Sequence, residues 1–236
     1  MEAIETKEFL TPEDTARLEE EAQNLRDKLL IRILRRTGAR VSEIINLETR
    51  HIQYKTKRIE IEHLKQKLGL SCPGCGSKLS KKSIFCPGCG IKVEKAVFKQ
   101  KEHKKMRQLP IDQDTLDLIK EYIDRGGAGK VEDGRMLLFP MTRQNAWLII
   151  KKCAKLAGLP ELRNPESGIV HHVSPHKMRD SFAIAAVKHN EESLDNIRLL
   201  QEHLGHESYD TTMKYRKVGS EEHSNWFNNL IADIDK

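Results

Sequence analysis

The chain has 236 residues, enough for one large domain or a domain carrying a small module. Hydrophobic residues make up 38% and charged residues 32%, so a core is available, and no run approaches the ~18 consecutive apolar residues of a membrane span. The opening MEAIETKEFL is polar and acidic, which is unlike a signal peptide and reads as a soluble, cytoplasmic protein.

The net charge is +6 and the pI about 9.0. Its distribution is uneven. From Lys55 to Arg107 there are 15 Lys/Arg against 4 Asp/Glu, a surplus of +11 that leaves −5 for the rest of the chain. A basic block on a mildly acidic protein predicts a polyanionic partner, nucleic acid above all; a solvated lysine-rich hairpin is the plainer alternative.

Residues 11–36 read as one helix, with Thr11 as N-cap, Pro12 at the first helical position and Asp14 closing the cap. Gly38 interrupts, and helix resumes from Ser42 to Leu47. Residues 57–64 alternate apolar and charged, the signature of a strand. Residues 95–111 read as a hairpin with a basic turn, and Asp112 to Ile123 as helix. The GGAGK of the following loop lacks the first glycine and the final Ser/Thr of a phosphate-binding loop. Further helices are expected at 143–157, 176–189 and 192–203, then a short one capped by Asp210 and carrying Tyr215, then an amphipathic one from Ser220 to Ile234. The fold class is mainly α with a small antiparallel β-sheet (α+β).

Four of the five cysteines form two identical knuckles, Cys72-Pro-Gly-Cys75-Gly and Cys86-Pro-Gly-Cys89-Gly, with ten residues between Cys75 and Cys86. Each pair brings two thiolates to one tetrahedral ion, and four thiolates leave no open position. That predicts structural Zn2+ rather than a disulfide or a catalytic metal. The domain reading is therefore a ribbon at 68–94 inserted in a domain that runs 1–236. Lys78, Lys81 and Lys82 allow the ribbon either to touch DNA or to brace the hairpin. Cys153, among Trp147, Ile150 and Leu156, reads as core.

Three features remain: Gly38-Ala-Arg40-Val-Ser-Glu43, His176-Lys-Met-Arg179, and Leu204-Gly-His206 followed nine residues later by Tyr215. Each is weak alone. In this order and spacing, with LLFP and RQNAW between them, they resemble the catalytic domain of the tyrosine recombinases, the phage integrase and Xer-type enzymes, over nearly the whole chain. The resemblance implies that fold, with the ribbon as an insertion. It also implies site-specific cutting and rejoining of double-stranded DNA by a tetramer through a 3′-phosphotyrosyl intermediate, with no catalytic metal or nucleotide. Arg40 and Arg179 would neutralise the charge that develops on the phosphate, which suits paired guanidinium forks. His206 would add a hydrogen bond, His176 would accept the tyrosine proton or hold the phosphate, and Tyr215 would attack phosphorus. Glu43 would brace the arginine motif.

The resemblance also implies a hairpin lysine that protonates the leaving 5′-oxygen. Lys101 is the first choice, with Lys104 and Lys65 behind it. Only 39 residues precede Arg40, which leaves no room for the family's N-terminal clamp domain. The CPGCG knuckles suit a prokaryotic, archaeal source. A topoisomerase-like nicking and closing enzyme, or a non-catalytic DNA-binding protein on the same scaffold, stand as the alternative functions.

Overall fold

The computed structural model describes residues 7–62, 69–80, 82–94, 97–99, 106–164, 167–189, 194–206, 208–213 and 215. The chain divides into two compact units, one formed by Met1–Ile61 with Arg107–Lys236 and the other by Glu62–Met106.

The larger unit opens with α1 (Pro12–Glu20), where Thr11 and Asp14 satisfy each other's backbone N–H groups as the sequence predicts. The helix does not run on to residue 36. Asn24 adopts an extended backbone, its side chain accepts from the N–H of Asp27, and a separate α2 (Leu25–Thr37) starts there. A short amide side chain that caps the chain locally competes with continuing the helix. α2 buries Leu29, Leu30, Ile31, Ile33 and Leu34, each burial worth on the order of 2 kcal/mol. It packs against α1 and later helices as the centre of the core.

Gly38, in the left-handed region at φ 58°, ends α2, and α3 (Val41–Ile45) follows. β1 (Ile52–Gln53) and β2 (Arg58–Glu62) pair antiparallel, with Ile52 opposite Ile59. The smaller unit then contributes β3 (Gly69–Ser71), β4 (Lys78–Leu79) and β5 (Val97–Lys99), a sheet ordered β4-β3-β5. The chain returns in β6 (Met106–Pro110), beside β2 in a sheet ordered β1-β2-β6.

The hairpin expected at 95–111 is therefore two strands of two different sheets. β5 lies on β3, with Leu70 opposite Phe98, whereas β6 buries Leu109 with Ile59 and Ile61 of β2. The shared apolar face decides the partner: β6 pairs where its one fully buried side chain meets the larger core.

α4 (Gln113–Asp124) follows, capped by Asp112. The loop after it contains a small ribbon, β7 (Gly129–Lys130) with β8 (Met136–Leu137). α5 (Arg143–Leu156) carries Cys153 into the core. β9 (Leu162–Arg163) pairs with β10 (Val170–His171). Then come α6 (Pro175–His189), α7 (Leu194–Leu204) and α8 (Tyr209–Met213). Ser208, not Asp210, supplies the hydroxyl that receives an N–H at the start of α8, from Asp210 itself at 3.2 Å, and Tyr215 lies two residues beyond the helix. The expected helix at 220–234 lies outside the described residues. Among the described residues no helix is long and apolar enough to cross a membrane.

Candidate active site and cysteine centre

Three turns of backbone bring the candidate residues together. The first is Gly38, whose carbonyl accepts Nη1 of Arg179 at 2.7 Å. A side chain there would run into the Phe182 ring, so the left-handed residue and the close approach both require glycine. The second is the end of α7. The Leu204 carbonyl has no partner within its own helix and lies at the negative end of the helix dipole. It accepts Nη2 of Arg179 at 2.7 Å and Nη1 of Arg107 at 2.9 Å. The third is Gly205, at φ 65°, which places His206 beside Arg179.

Glu43 ties the guanidinium groups into one network. Its buried carboxylate accepts Nη1 of Arg40 at 3.0 Å, the Arg40 N–H at 2.8 Å and Nη2 of Arg107 at 2.8 Å. Arg179 is 3% exposed. Burial, then repulsion from Arg40, pushes it down to about 10, so it still carries its charge at neutral pH. Burial also lowers Arg107, against the pull of Glu43.

His206 stands between the guanidinium of Arg179, 3.0 Å from its Nε2, and the hydroxyl of Thr212, 2.9 Å from its Nδ1. A guanidinium only donates, so Nε2 accepts and the ring proton sits on Nδ1. Burial and then Arg179 push His206 down to about 4, leaving a neutral ring at pH 7. Tyr215 stacks beside that ring, centroids 5.9 Å apart and 20° from parallel. Its hydroxyl donates to Oδ1 of Asp180 at 3.1 Å. Burial and then the Asp180 charge push Tyr215 up to about 12, and Arg179 works in the opposite direction.

The structure thus brings Arg40, Arg179, His206 and Tyr215 into one cluster. His176 lies at the rim. Its side chain is 76% exposed, with Nδ1 4.0 Å from Oδ1 of Asp180. Lys101, Lys104 and Lys65 lie outside the described residues. Sequence reasoning missed Arg107, Asp180 and Thr212. Asp180 adjoins Arg179 in a motif that was read, but nothing in the sequence says that a residue 35 positions later meets it. Arg107 is hidden among the lysines of the basic block. It missed His203 too, a half-buried imidazole stacked on Phe182 with Nε2 2.8 Å from the Thr37 carbonyl oxygen.

In the smaller unit the Sγ atoms of Cys72, Cys75, Cys86 and Cys89 lie within 4.8 Å of one another. Cys72 and Cys89 are 3.7 Å apart, and Cys75 and Cys86 3.4 Å. Tetrahedral zinc with its ordinary Zn–S bonds separates sulfurs by about 3.8 Å. The two knuckles fold alike, the N–H of Gly76 donating to the Cys72 carbonyl and that of Gly90 to the Cys86 carbonyl, both at 2.9 Å. The N–H groups of Cys75 and Gly74 turn toward the Cys72 sulfur and hold its thiol below the ordinary pKa, favouring the thiolate. Cys72, Leu79 and Cys86 are the buried apolar residues of this unit among the described residues, so the cluster could hold a metal where a core is lacking.

The phage integrase family model matches residues 8–73 and 79–222. The chain belongs to the phage integrase family. Among relatives, the tyrosine recombinase XerD of Corynebacterium glutamicum is 26% identical over 224 residues, which is 92% of this chain and 53% of that protein. XerA of Pyrococcus furiosus is 27% identical over 239 residues, 94% of this chain and 64% of its own. The chain thus spans between about half and two thirds of the length of these relatives. They come from bacteria and archaea alike, so the archaeal source expected from the knuckles is not decided by them.

Among solved structures, the XerA recombinase superposes with a TM-score of 0.60 at 18% identity, covering 98% of this chain and 66% of that one. XerH bound to its difH substrate gives 0.59 at 20% identity, covering 93% and 53%. The α+β architecture expected from the sequence is that of the integrase family's catalytic domains.

Proposed function

We propose that this integrase-family chain is the catalytic part of a site-specific recombinase that cuts and rejoins double-stranded DNA through a 3′-phosphotyrosyl intermediate. The observation that carries the reading is the convergence of Tyr215 with Arg40, Arg179 and His206 around the Leu204 carbonyl and Glu43. A cluster with three guanidinium groups is an anion site, and a tyrosine beside it is a nucleophile aimed at a phosphate.

Arg40 and Arg179 would grip the non-bridging oxygens, where charge grows in the transition state. A bound phosphate beside His206 would favour its imidazolium, which can donate from Nε2 while Nδ1 keeps Thr212. His176, exposed at the rim, is assigned to holding the phosphate. Lys101 remains the first choice for the acid that protonates the 5′-oxygen, with Lys104 and Lys65 as alternatives. The four cysteines would hold one structural zinc ion that takes no part in the chemistry. XerH and a λ integrase have been solved on DNA. Together with the basic block, those complexes support duplex DNA as partner, while a tetramer as the working assembly rests on the family resemblance alone.

The test is a covalent trap. A suicide duplex nicked so that the cut strand cannot be rejoined should leave a protease-sensitive protein–DNA adduct with the unsubstituted chain. Tyr215→Phe should bind the duplex and form none; an undiminished adduct in that variant refutes the assignment. Exchange between two duplexes, rather than relaxation of one, separates the recombinase from a nicking and closing enzyme.

A further inference from the structure

The proton of the Tyr215 hydroxyl must leave as the oxygen bonds to phosphorus, and the groups around it differ in what they can accept. His206 is occupied on both nitrogens, by Arg179 and Thr212, and its ring lies beside the tyrosine ring rather than at its hydroxyl. Arg179 only donates. His176 does not reach the hydroxyl; what it approaches, at 4.0 Å, is Oδ1 of Asp180. Asp180 accepts the hydroxyl proton at 3.1 Å from a side chain 19% exposed. Its second oxygen faces Nζ of Lys177 at 3.8 Å.

We propose that Asp180 is a catalytic residue, the acceptor that takes the phenolic proton of Tyr215 during attack. The inference rests on the reading of Tyr215 as nucleophile. In the step, the Tyr215 oxygen forms its bond to phosphorus while its O–H bond breaks toward Oδ1 of Asp180. The bond from phosphorus to the 5′-oxygen breaks, and that oxygen takes its proton from the separate acid. In rejoining, the 5′-hydroxyl attacks phosphorus as its proton passes back to the separate acid, the bond from phosphorus to the Tyr215 oxygen breaks, and Asp180 returns the proton to the departing tyrosine.

A carboxylate is ordinarily a far weaker base than a phenolate, by roughly six pKa units. Transfer before attack is therefore unfavourable. Transfer during attack is favourable, because a phenol oxygen already bonded to phosphorus is strongly acidic. Arg179 beside the tyrosine favours the same step by stabilising the developing phenolate. His176, at the exposed edge of Asp180, gives the proton a way to water.

The test measures single-turnover cleavage of the suicide duplex by the whole, zinc-loaded protein. Asp180→Asn keeps the size of the side chain and removes the acceptor. It should slow cleavage by about 10²–10³-fold, within the range of general-base contributions, with DNA affinity changed by less than about twofold. Asp180→Glu should recover part of the rate. Placing 3,5-difluorotyrosine at position 215 lowers the phenol's own pKa, because the fluorines stabilise the phenolate. That change should raise the rate of the Asp180→Asn protein at least tenfold and alter the unsubstituted protein little.

Cleavage by Asp180→Asn at or above the normal rate would overturn the proposal, since the carboxylate would then be restraining the hydroxyl. No gain from the fluorinated tyrosine would overturn it as well, leaving Asp180 a role in holding the ring. An adduct formed by Tyr215→Phe is the distinct outcome that removes the nucleophile reading itself, and this inference with it.

Discussion

Arg107 joins Glu43, and through it Arg40, to the Leu204 carbonyl that also holds Arg179. Arg107→Met keeps most of the apolar stem and removes an ion pair at 2.8 Å and a charge-assisted hydrogen bond at 2.9 Å. Two such bonds gross about 3–6 kcal/mol. The loss is smaller than that. Glu43 keeps Arg40, the carbonyl keeps Arg179, and the buried Nε of Arg107, which has no hydrogen-bond partner among the described residues, no longer has to be desolvated. The expected net loss is about 2–4 kcal/mol, or roughly 5–15 °C in Tm for a body of this size. Glu43→Gln weakens the same pair from its other end. The double substitution should therefore fall short of the sum of the singles by about 1–3 kcal/mol. Urea unfolding followed by far-ultraviolet circular dichroism reads this out, because every helix among the described residues belongs to the larger unit. Losses that add to within about 0.5 kcal/mol would refute the idea that Arg107 acts through Glu43.

Acid stability follows from two half-buried histidines, His203 and His206. Burial holds both below their ordinary 6.5, His206 at about 4, so the unfolded chain takes up their protons first as pH falls. Stability should be full above about pH 6.5 and decline toward pH 4, and His206→Gln should shallow that decline; equal slopes in both proteins count against it. Removing the proposed zinc ion from the cysteine cluster with a strong chelator, or replacing Cys72 by Ser, should abolish amide protection in the smaller unit while the helical signal of the larger unit stays. Loss of both signals together would show the units to be interdependent. For the leaving-group acid, Lys101→Ala should cleave ordinary DNA very slowly yet cleave a 5′-bridging phosphorothiolate at nearly the normal rate, since a thiolate leaves without a proton. If Lys65→Ala alone is rescued by sulfur, the acid lies on the β2 side of the inserted segment.

What the sequence disclosed depended on how local its physics was. Gly38 marked the bend within a short stretch of chain, and the family resemblance of that same stretch implied that Glu43 braces the arginine motif, where the structure has its ion pair with Arg40. The knuckles were legible for the same reason: each closes on itself through a five-residue loop. The break at Asn24 was not, because the apolar spacing of Leu18, Leu25 and Leu29 continues through it and only the amide's hydrogen bond reveals the new start. The pairing of β6 with β2 was concealed by a nearer competitor, β5, that answers the same alternation rule. Asp180 and Arg107 belong to a third kind. Their importance comes from partners 35 and 97 residues away, and no periodicity encodes such a meeting.

β2 and β6 are neighbours in one sheet, although residues 63–105 intervene between them. The host thus closes its sheet across an excursion whose length it barely registers, since doubling a loop adds only about 0.6 kcal/mol of closure entropy. That makes the excursion an exchangeable cassette. A short turn could stand in its place, or a receptor domain whose termini meet only when a drug or light acts on it. The replacement would have to carry the lysine that protonates the 5′-oxygen, since Lys65, Lys101 and Lys104 all lie within residues 63–105, whereas Arg40, Arg179, His206 and Tyr215 lie outside them.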